Sequence, residues 1–354
     1  MLVRLSDNSK LDTVKHHTGQ QRSYNVELVN GKTFLNNFSY KESDVNEVIV
    51  QNGIALSGAN SRHYFGIIKD GNYHYTGFSK GNKAARTDSV FWKKLPANKI
   101  GQTVDINIDN APKKHFDQPI NLWFSINAYW HWFNEDIPLI KFLRKNNHVI
   151  VTNKLSEWQK ESLGYFPDIQ KRLIELETPT VIEAPRFHLF TKPDGGAGKN
   201  CEWVSLFLKE HHTPSKDFEP IDKVYIGRGD ADARAVDNEQ ELIDLLIKND
   251  FKIYTEFSKI NLQEKIDIFH KCKLVVSPTG ANLCHCYAMQ EGSTVIDFNH
   301  KFLLKDEHWY NNIGSACGLK WKTLGAETGS RNKRPRERNR NLIVDINLME
   351  SVIA

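Results

Sequence analysis

The chain has 354 residues, and its 47 Lys+Arg against 43 Asp+Glu leave a formal charge of only +4. A composition of 40% apolar and 25% charged residues is that of a soluble globular protein. No run nears the ~20 apolar residues of a membrane span, no secretion signal opens the chain, and five scattered cysteines form no disulfide framework; these exclude a membrane span, a secreted mini-protein and a fibrous repeat, and point to a cytoplasmic, two-domain protein.

The charge is unevenly placed. Residues 331–340 read Arg-Asn-Lys-Arg-Pro-Arg-Glu-Arg-Asn-Arg, a net of +5, so the remainder of the chain carries −1.

Residues 1–85 are patterned as a β-rich N-terminal region, with period-2 stretches and the Asx-Gly pairs Asn30-Gly31, Asn52-Gly53 and Asp70-Gly71 as hairpin turns. Tyr73, Tyr75 and Phe78 follow the last of these. From about Val104 the pattern changes. Ile120-Asn121-Leu122-Trp123-Phe124 reads as an apolar strand, 130–145 as a helix and His148-Val149-Ile150-Val151 as a second strand. Ser156 and Gln159 have capping-box spacing, and Val181-Ile182-Glu183 reads as a further strand. Residues 86–215 are thereby expected to form a first Rossmann-like domain, with prolines and glycines over 185–220 marking the interdomain connection.

Residues 216–354 alternate cleanly. Strands are expected at 223–226, 251–254, 274–276 and 294–296, with helices at 239–248, 261–271 and 281–290 between them. A strand resumes at 341–346, which makes the basic run a loop. The fold class is α/β, with two facing Rossmann-like domains and a β-rich N-terminal extension.

Four segments carry candidate chemistry. Val276-Ser277-Pro278-Thr279-Gly280-Ala281-Asn282 is strand, turn and helix start, so free amides and a helix dipole face an anion, and Gly280 admits close approach. The plainer alternative is an ordinary tight turn. Arg228 and Arg234 flank Gly229-Asp230-Ala231-Asp232-Ala233 after another strand, and guanidinium bonds phosphate oxygens in pairs. Their alternative is solvated arginines paired with Asp230 and Asp232, and a minority possibility makes those two acids an Mg²⁺ or Mn²⁺ site. Asp297, at a strand's carboxyl end, is placed to accept ribose hydroxyls or to serve as a cap. In Asn127-Ala128-Tyr129-Trp130-His131-Trp132-Phe133-Asn134-Glu135-Asp136, His131 and Glu135 share a helix face. They suit a general base or a sugar-stacking site; the alternative puts the aromatics in the core and the acids in water.

Other segments are set aside. Gly195-Gly196-Ala197-Gly198-Lys199 lacks P-loop spacing and reads as a mobile loop. Cys284-His285-Cys286 lacks a zinc-site partner pair and reads as packed thiols.

The order of Arg228-x5-Arg234, Asn238-Glu239, Pro278-Thr279-Gly280-Ala281-Asn282-Leu283 and Val295-Ile296-Asp297 resembles glycosyltransferase family 61, the family of plant β-1,2-xylosyltransferase and secretory-pathway protein O-GlcNAc transferases. Asn127-Ala128-Tyr129-Trp130-His131-Trp132 resembles the Asn-Tyr-Tyr-His-Trp helix of its bacterial members. The resemblance spans about residues 120–300. Here Thr279 stands where the family usually has His, Asp297 where many relatives have Glu, and Glu135 where many have Asp.

The resemblance implies a GT-B-like fold and an inverting transfer of a sugar, such as xylose or N-acetylglucosamine, from a UDP-sugar to a glycan or polysaccharide hydroxyl. Arg228, Arg234, Thr279, Gly280, Ala281, Asn282 and Asp297 would bind the donor. The base would be Glu135, then Asp136 or His131, and no cofactor or metal would be required. Two alternatives are a non-catalytic sugar-nucleotide or glycan-binding protein and, ranked lower, a nucleic-acid binder through 331–340. No nucleic-acid partner is expected, since the run lacks interleaved aromatics and the rest of the chain is slightly acidic. Peripheral contact of 331–340 with a membrane or an anionic acceptor is the intermediate option.

Overall fold

The computed structural model describes residues 2–6, 12–30, 32–57, 65–69, 72–75, 103–105, 108–109, 111–125, 127–176, 180–193, 201–217, 219–304, 310–331 and 336–353. The chain divides into two compact units, Met1–Gly19 with Glu42–Gly196, and Gln20–Lys41 with Ala197–Ala354. The β-rich start is therefore shared between the two units instead of forming a region of its own.

In the first unit, β1 (Ile120–Leu122), β2 (Val149–Asn153), β3 (Leu173–Leu176) and β4 (Val181–Phe190) lie in the order β3-β2-β1-β4, all parallel. Short Val/Ile/Leu runs suit strands covered on both faces, and β1 is buried throughout. β4 runs straight through Pro185, inside the segment expected to be a connection. Beyond β4 the sheet turns antiparallel, through the long strand Val45–Ser57 and the strands Phe65–Lys69 and Asn72–Tyr75. Val48, Val50, Ile120, Phe187 and Leu189 lie in its core.

The Asn52-Gly53 turn is not formed. Asn52 sits inside Val45–Ser57 with φ 53°, and the pairing with β4 keeps one register on both sides of it, with Gly53 opposite Ala184 and Gln51 opposite Arg186. Pro185, which has no N–H to give a ladder, falls between these pairs, and an Asx residue absorbs the left-handed backbone at 52. The strands flanking the other two pairs are antiparallel partners. Asn30 is paired with Lys32, and Lys69 with Asn72. Gly31, Asp70, Gly71 and Phe78 lie outside the described residues.

The helix expected over 130–145 is broken into four pieces. Tyr129–His131 is α-helical, Trp132–Asp136 is a π-turn, Ile137–Leu139 is 3₁₀ and Ile140–Leu143 is α-helical again. Pro138 cannot donate to the carbonyl four residues back. The chain widens before it, with Ile137 N reaching Trp132 O. A π-turn of this kind is frequent at functional sites. The capping box at Ser156 forms, with Ser156 N donating to Gln159 Oε1 at 2.9 Å, and starts α1 (Glu157–Leu163).

In the second unit, β5 (Lys223–Ile226), β6 (Lys252–Tyr254), β7 (Leu274–Pro278), β8 (Thr294–His300) and β9 (Lys320–Thr328) are parallel, in the order β6-β5-β7-β8-β9. The hairpin strands Gln21–Asn30 and Lys32–Lys41 extend this sheet beyond β9. Helix α2 (Glu202–His211) precedes the sheet. Helix α3 (Glu239–Lys248) connects β5 to β6, and α4 (Leu262–Lys271) returns the chain to β7 on the other side of β5. Asn261 caps α4, accepting from Glu264 N at 2.8 Å. The expected helix 281–290 is instead a 3₁₀ helix, Ala281–Ala288. Its Cys284, His285 and Cys286 are fully buried, and all five cysteines are buried and outside disulfides. The expected strand 341–346 shortens to Leu342–Ile343, against β9. Among the described residues no helix is long and apolar enough to cross a membrane.

Candidate functional site

In open parallel sheets, ligands bind beyond the carboxyl ends of the strands, where the chain reverses its direction of travel across the sheet. Each unit gathers charged side chains at such an edge.

In the first unit, β1 ends at Leu122, level with Leu189 of β4. The chain after β1 leads to the π-turn, and the chain after β4 reaches Lys192 two residues past the strand. His131 Nδ1 lies 2.6 Å from Glu135 Oε1. The Lys192 ammonium lies 3.4 Å from Glu135 Oε2 and 2.7 Å from Asp136 Oδ1. The structure thus brings together all three residues proposed as the base, and adds Lys192. No local signal marks Lys192, which is 56 residues from Asp136 along the chain and follows an ordinary strand.

Trp132, Phe133 and Ile137 are in the core, as the plainer alternative required, but the acids are not in water. Glu135 is 8% exposed and Asp136 0%. Trp132 stacks on Trp123 at 5.4 Å and donates its indole N–H to Ser162 Oγ at 2.7 Å, which fixes the π-turn on its aromatic side. On its charged side, burial alone would lower the Lys192 pKa, but Asp136 and then Glu135 raise it above its ordinary value, so the lysine is held as ammonium. Burial also opposes the charged form of His131, yet the Glu135 hydrogen bond and charge, with Asp136, raise its pKa above 6.5 against the opposing charge of Lys192. A carboxylate paired to an ammonium only accepts, so its bond places the His131 proton on Nδ1 and leaves the Nε2 lone pair. The His131 side chain is 40% exposed, against 10% for Glu135. Of the three, His131 has the basic atom that a ligand can reach.

In the second unit, the chain goes from β5 outward to β6 and then back across to β7, so the reversal lies between β5 and β7. Arg228 follows β5 and Gly280 follows β7. The Arg228 guanidinium occupies the space that a Cβ on Gly280 would need. Glycine is required here by the close approach of a side chain, at extended backbone geometry. Arg228 Nε donates to Ala233 O at 3.0 Å, which folds the side chain back over its own loop. Glu239 anchors that loop from the start of α3, accepting from the Tyr225 hydroxyl at 2.8 Å and from the Arg228 amide. Arg234 closes the loop at φ 60°, a conformation rare for a residue with a side chain.

The remaining donor candidates divide. Ala281 and Asn282, half-buried, open the 3₁₀ helix. Thr279 is 5% exposed. Its amide donates to Phe298 O at 2.9 Å, and its side chain bonds Asp297. Asp297 is 3% exposed and accepts from Trp321 Nε1 at 2.9 Å and Thr323 Oγ1 at 2.5 Å. Burial pushes its pKa up to about 6, against the pull of those donors. Asp297 therefore braces the floor under the Gly280 turn, and Thr279 is tied to that floor. Tyr310 is a further buried neighbour: burial pushes its phenol up to about 12, while the charges of Arg234 and Arg228 pull it down.

Asp230 is exposed and accepts from Ser258 N at 2.9 Å, capping the 3₁₀ turn Phe257–Lys259. Among the described residues no third His, Cys, Asp or Glu joins Asp230 and Asp232 at ligating distance. Gly195 to Lys199, and residues 332–335 of the basic run, lie outside the described residues.

An α/β protein with parallel sheets and charged groups collected at their carboxyl edges falls in the class of open-sheet ligand-binding proteins. Residues 129–296 match the family Glycosyltransferase 61, which supports the resemblance carried by the sequence motifs. The match includes His131, Glu135, Asp136, Lys192, Arg228, Arg234 and 279–282, and stops one residue before Asp297. The match supports a glycosyltransferase. No curated protein matches the chain. Among solved structures, that of the dodecameric iron-containing heptosyltransferase TibC in complex with ADP-D-β-D-heptose aligns with a TM-score of 0.32 and 8% identity, over 75% of this chain and 78% of that one. At that level of likeness nothing of its ligand or assembly carries over.

Proposed function

We propose that the protein is an inverting glycosyltransferase that moves a sugar from a UDP-sugar to a hydroxyl of a glycan or polysaccharide acceptor, with a nucleotide-diphosphate site on the second unit and the base on the first. The observation that carries this is the Arg228 guanidinium seated on Gly280 at the reversal between β5 and β7. Guanidinium and backbone amides together suit a diphosphate, and they act where negative charge grows as the sugar departs.

His131 Nε2 is the proposed base, with Glu135 as its orienting partner and Lys192 holding Glu135 and Asp136 as carboxylates. The acceptor oxygen forms its bond to the anomeric carbon as the bond from that carbon to the diphosphate oxygen breaks. The electron pair leaves with the diphosphate, and the hydroxyl proton passes to His131 Nε2.

The test is calorimetric titration with UDP alongside an assay of transfer from UDP-sugars, with the anomer of the product read by NMR. Arg228→Ala is expected to weaken UDP binding by about tenfold or more, on the scale of a lost charge-assisted hydrogen-bond pair, and to remove most transfer. Unchanged UDP affinity in that variant, or a retained anomer, would overturn the proposal.

A further inference from the structure

The basic run, whose described residues are 331 and 336–340, is rooted on the loop that carries Arg228 and Arg234. Asp237, three residues past Arg234, clasps both ends of the run. It accepts from Ser330 N at 2.5 Å and Ser330 Oγ at 2.8 Å on one side, and from Asn341 Nδ2 at 2.9 Å on the other. The returning strand then lies along the Arg234 loop. Arg234 N donates to Asn339 O at 3.2 Å, Leu342 N to Ala235 O at 2.8 Å, and Asp237 N to Leu342 O at 2.8 Å. Residue 340 is thereby delivered to the edge where the anion site lies.

A second contact places the same residue independently. Phe298 of β8 is level with Pro278, the last residue of β7 before the Gly280 turn, and β8 runs on to His300. The His300 ring hydrogen-bonds the Arg340 carbonyl. The charges of Arg234 and Arg340 both act on His300, while those of Arg234 and Arg228 both act on Tyr310. Arg234 thus shares a neighbour with each of the other two guanidinium groups, His300 with Arg340 and Tyr310 with Arg228. Arg340 Nη2 donates to Gly329 O at 2.5 Å, and its Nε is buried without a hydrogen-bond partner among the described residues. Two acids lie nearby: Asp237, which already accepts three bonds from Ser330 and Asn341 and on which the Arg340 charge acts, and Glu337, whose charge acts on His300.

We infer that Arg340 is a third guanidinium of the anion site, and that it answers the charge appearing on the diphosphate when the sugar leaves. This rests on the donor-site reading above. A diphosphate esterified at both ends lacks the terminal ionisation that a freed phosphate gains, about one further negative charge near neutral pH. A third fixed cation beside two arginines favours the departed diphosphate over the bound donor, which is how a site lowers a barrier.

The experiment is isothermal titration of the full chain, as wild type, Arg340→Ala and Arg340→Lys, with inorganic pyrophosphate, UDP and UDP-N-acetylglucosamine at two salt concentrations. Arg340→Ala is expected to weaken UDP and pyrophosphate by about tenfold, to weaken the UDP-sugar by less, and to flatten the salt dependence. Arg340→Lys keeps the charge and recovers part of the loss, which guards against a merely unfolded variant. Equal affinities in wild type and Arg340→Ala would overturn the inference, and an equal loss for UDP and UDP-sugar would overturn the leaving-group role. Wild type that binds pyrophosphate but no nucleotide would sink the donor reading while the pyrophosphate arm still decides Arg340. Wild type that binds none of the three would overturn both.

Discussion

The two clusters solve opposite electrostatic problems. In the first unit two carboxylates, an ammonium and an imidazole nearly cancel, and three of the four groups are almost wholly buried. In the second unit Arg228 and Arg234 stand on half-exposed loop backbone, and the acids beside them, Asp230 and Asp232, point to the surface. A group that must gain a proton needs a balanced surrounding that sets its pKa, whereas a site that must hold an anion needs a surplus of positive charge. The difference teaches that burial of charge marks the first unit's site, and close packing of an arginine on a glycine marks the second's.

The sharpest way to break this contrast is at Lys192. Lys192→Met leaves Asp136 buried without its counter-charge, and removing one partner of a buried pair costs about 3–5 kcal/mol. Chemical denaturation should show a loss of that size, with Lys192→Arg recovering much of it. Arg228 is half-exposed, so Arg228→Ala should cost less stability than Lys192→Met while binding falls. A Lys192→Met protein as stable as wild type would mean that the first cluster is not balanced by this lysine.

A smaller effect concerns the His131 proton. Its pKa is raised above 6.5 chiefly through Glu135, over the opposition of burial and Lys192. For a group whose folded pKa is raised, the interaction contributes stability fully below the unfolded pKa and loses it as pH rises through the folded one. Glu135→Gln should therefore lower the His131 titration midpoint followed by ring-carbon NMR, and move the acid limb of the transfer rate to lower pH. The stability gap between wild type and variant should shrink as pH rises past the wild-type midpoint. An acid limb that stays in place would move the base away from His131.

How much of this was legible in the sequence follows from how far apart the interacting residues are. The Gly280 turn, the Arg228 loop, the Asn261 cap and the Ser156 capping box are local, and each forms within a few residues of where its signal lies. The pairing of Lys192 with Asp136, and the attachment of Gln21–Asn30 to Lys320–Thr328, depend on distant segments meeting, which no local period encodes. Asp297 had the right position for a ribose ligand, yet it is buried, and Trp321 and Thr323 from the next strand both donate to its Oδ1. Asn52-Gly53 carried a turn signal, yet the pair lies inside a continuous strand whose register against β4 is the same on both sides of it. The basic run looked separate from the chemistry because charge counting is blind to the Asp237 clasp.

The smallest expected effect is at Asp230, and it tests whether the second cluster is an anion site alone or one organised by a cation. Asp230 has a structural use already, as the acceptor for Ser258 N, and it is exposed. If that capping bond is its whole contribution, Asp230→Ala should cost about 1 kcal/mol of stability, the usual size of a lost cap, with UDP affinity nearly unchanged. Transfer by the wild type should then also survive EDTA. Carboxylates that held Mg²⁺ or Mn²⁺ against a diphosphate would behave differently. Inactivation by EDTA rescued by Mn²⁺, together with a loss of UDP binding in Asp230→Asn, which keeps an acceptor for Ser258 N, would transfer the role from the arginines to the acids. The pair of measurements separates the two cases because losing a cap changes folding stability, whereas losing a metal ligand changes affinity for the diphosphate.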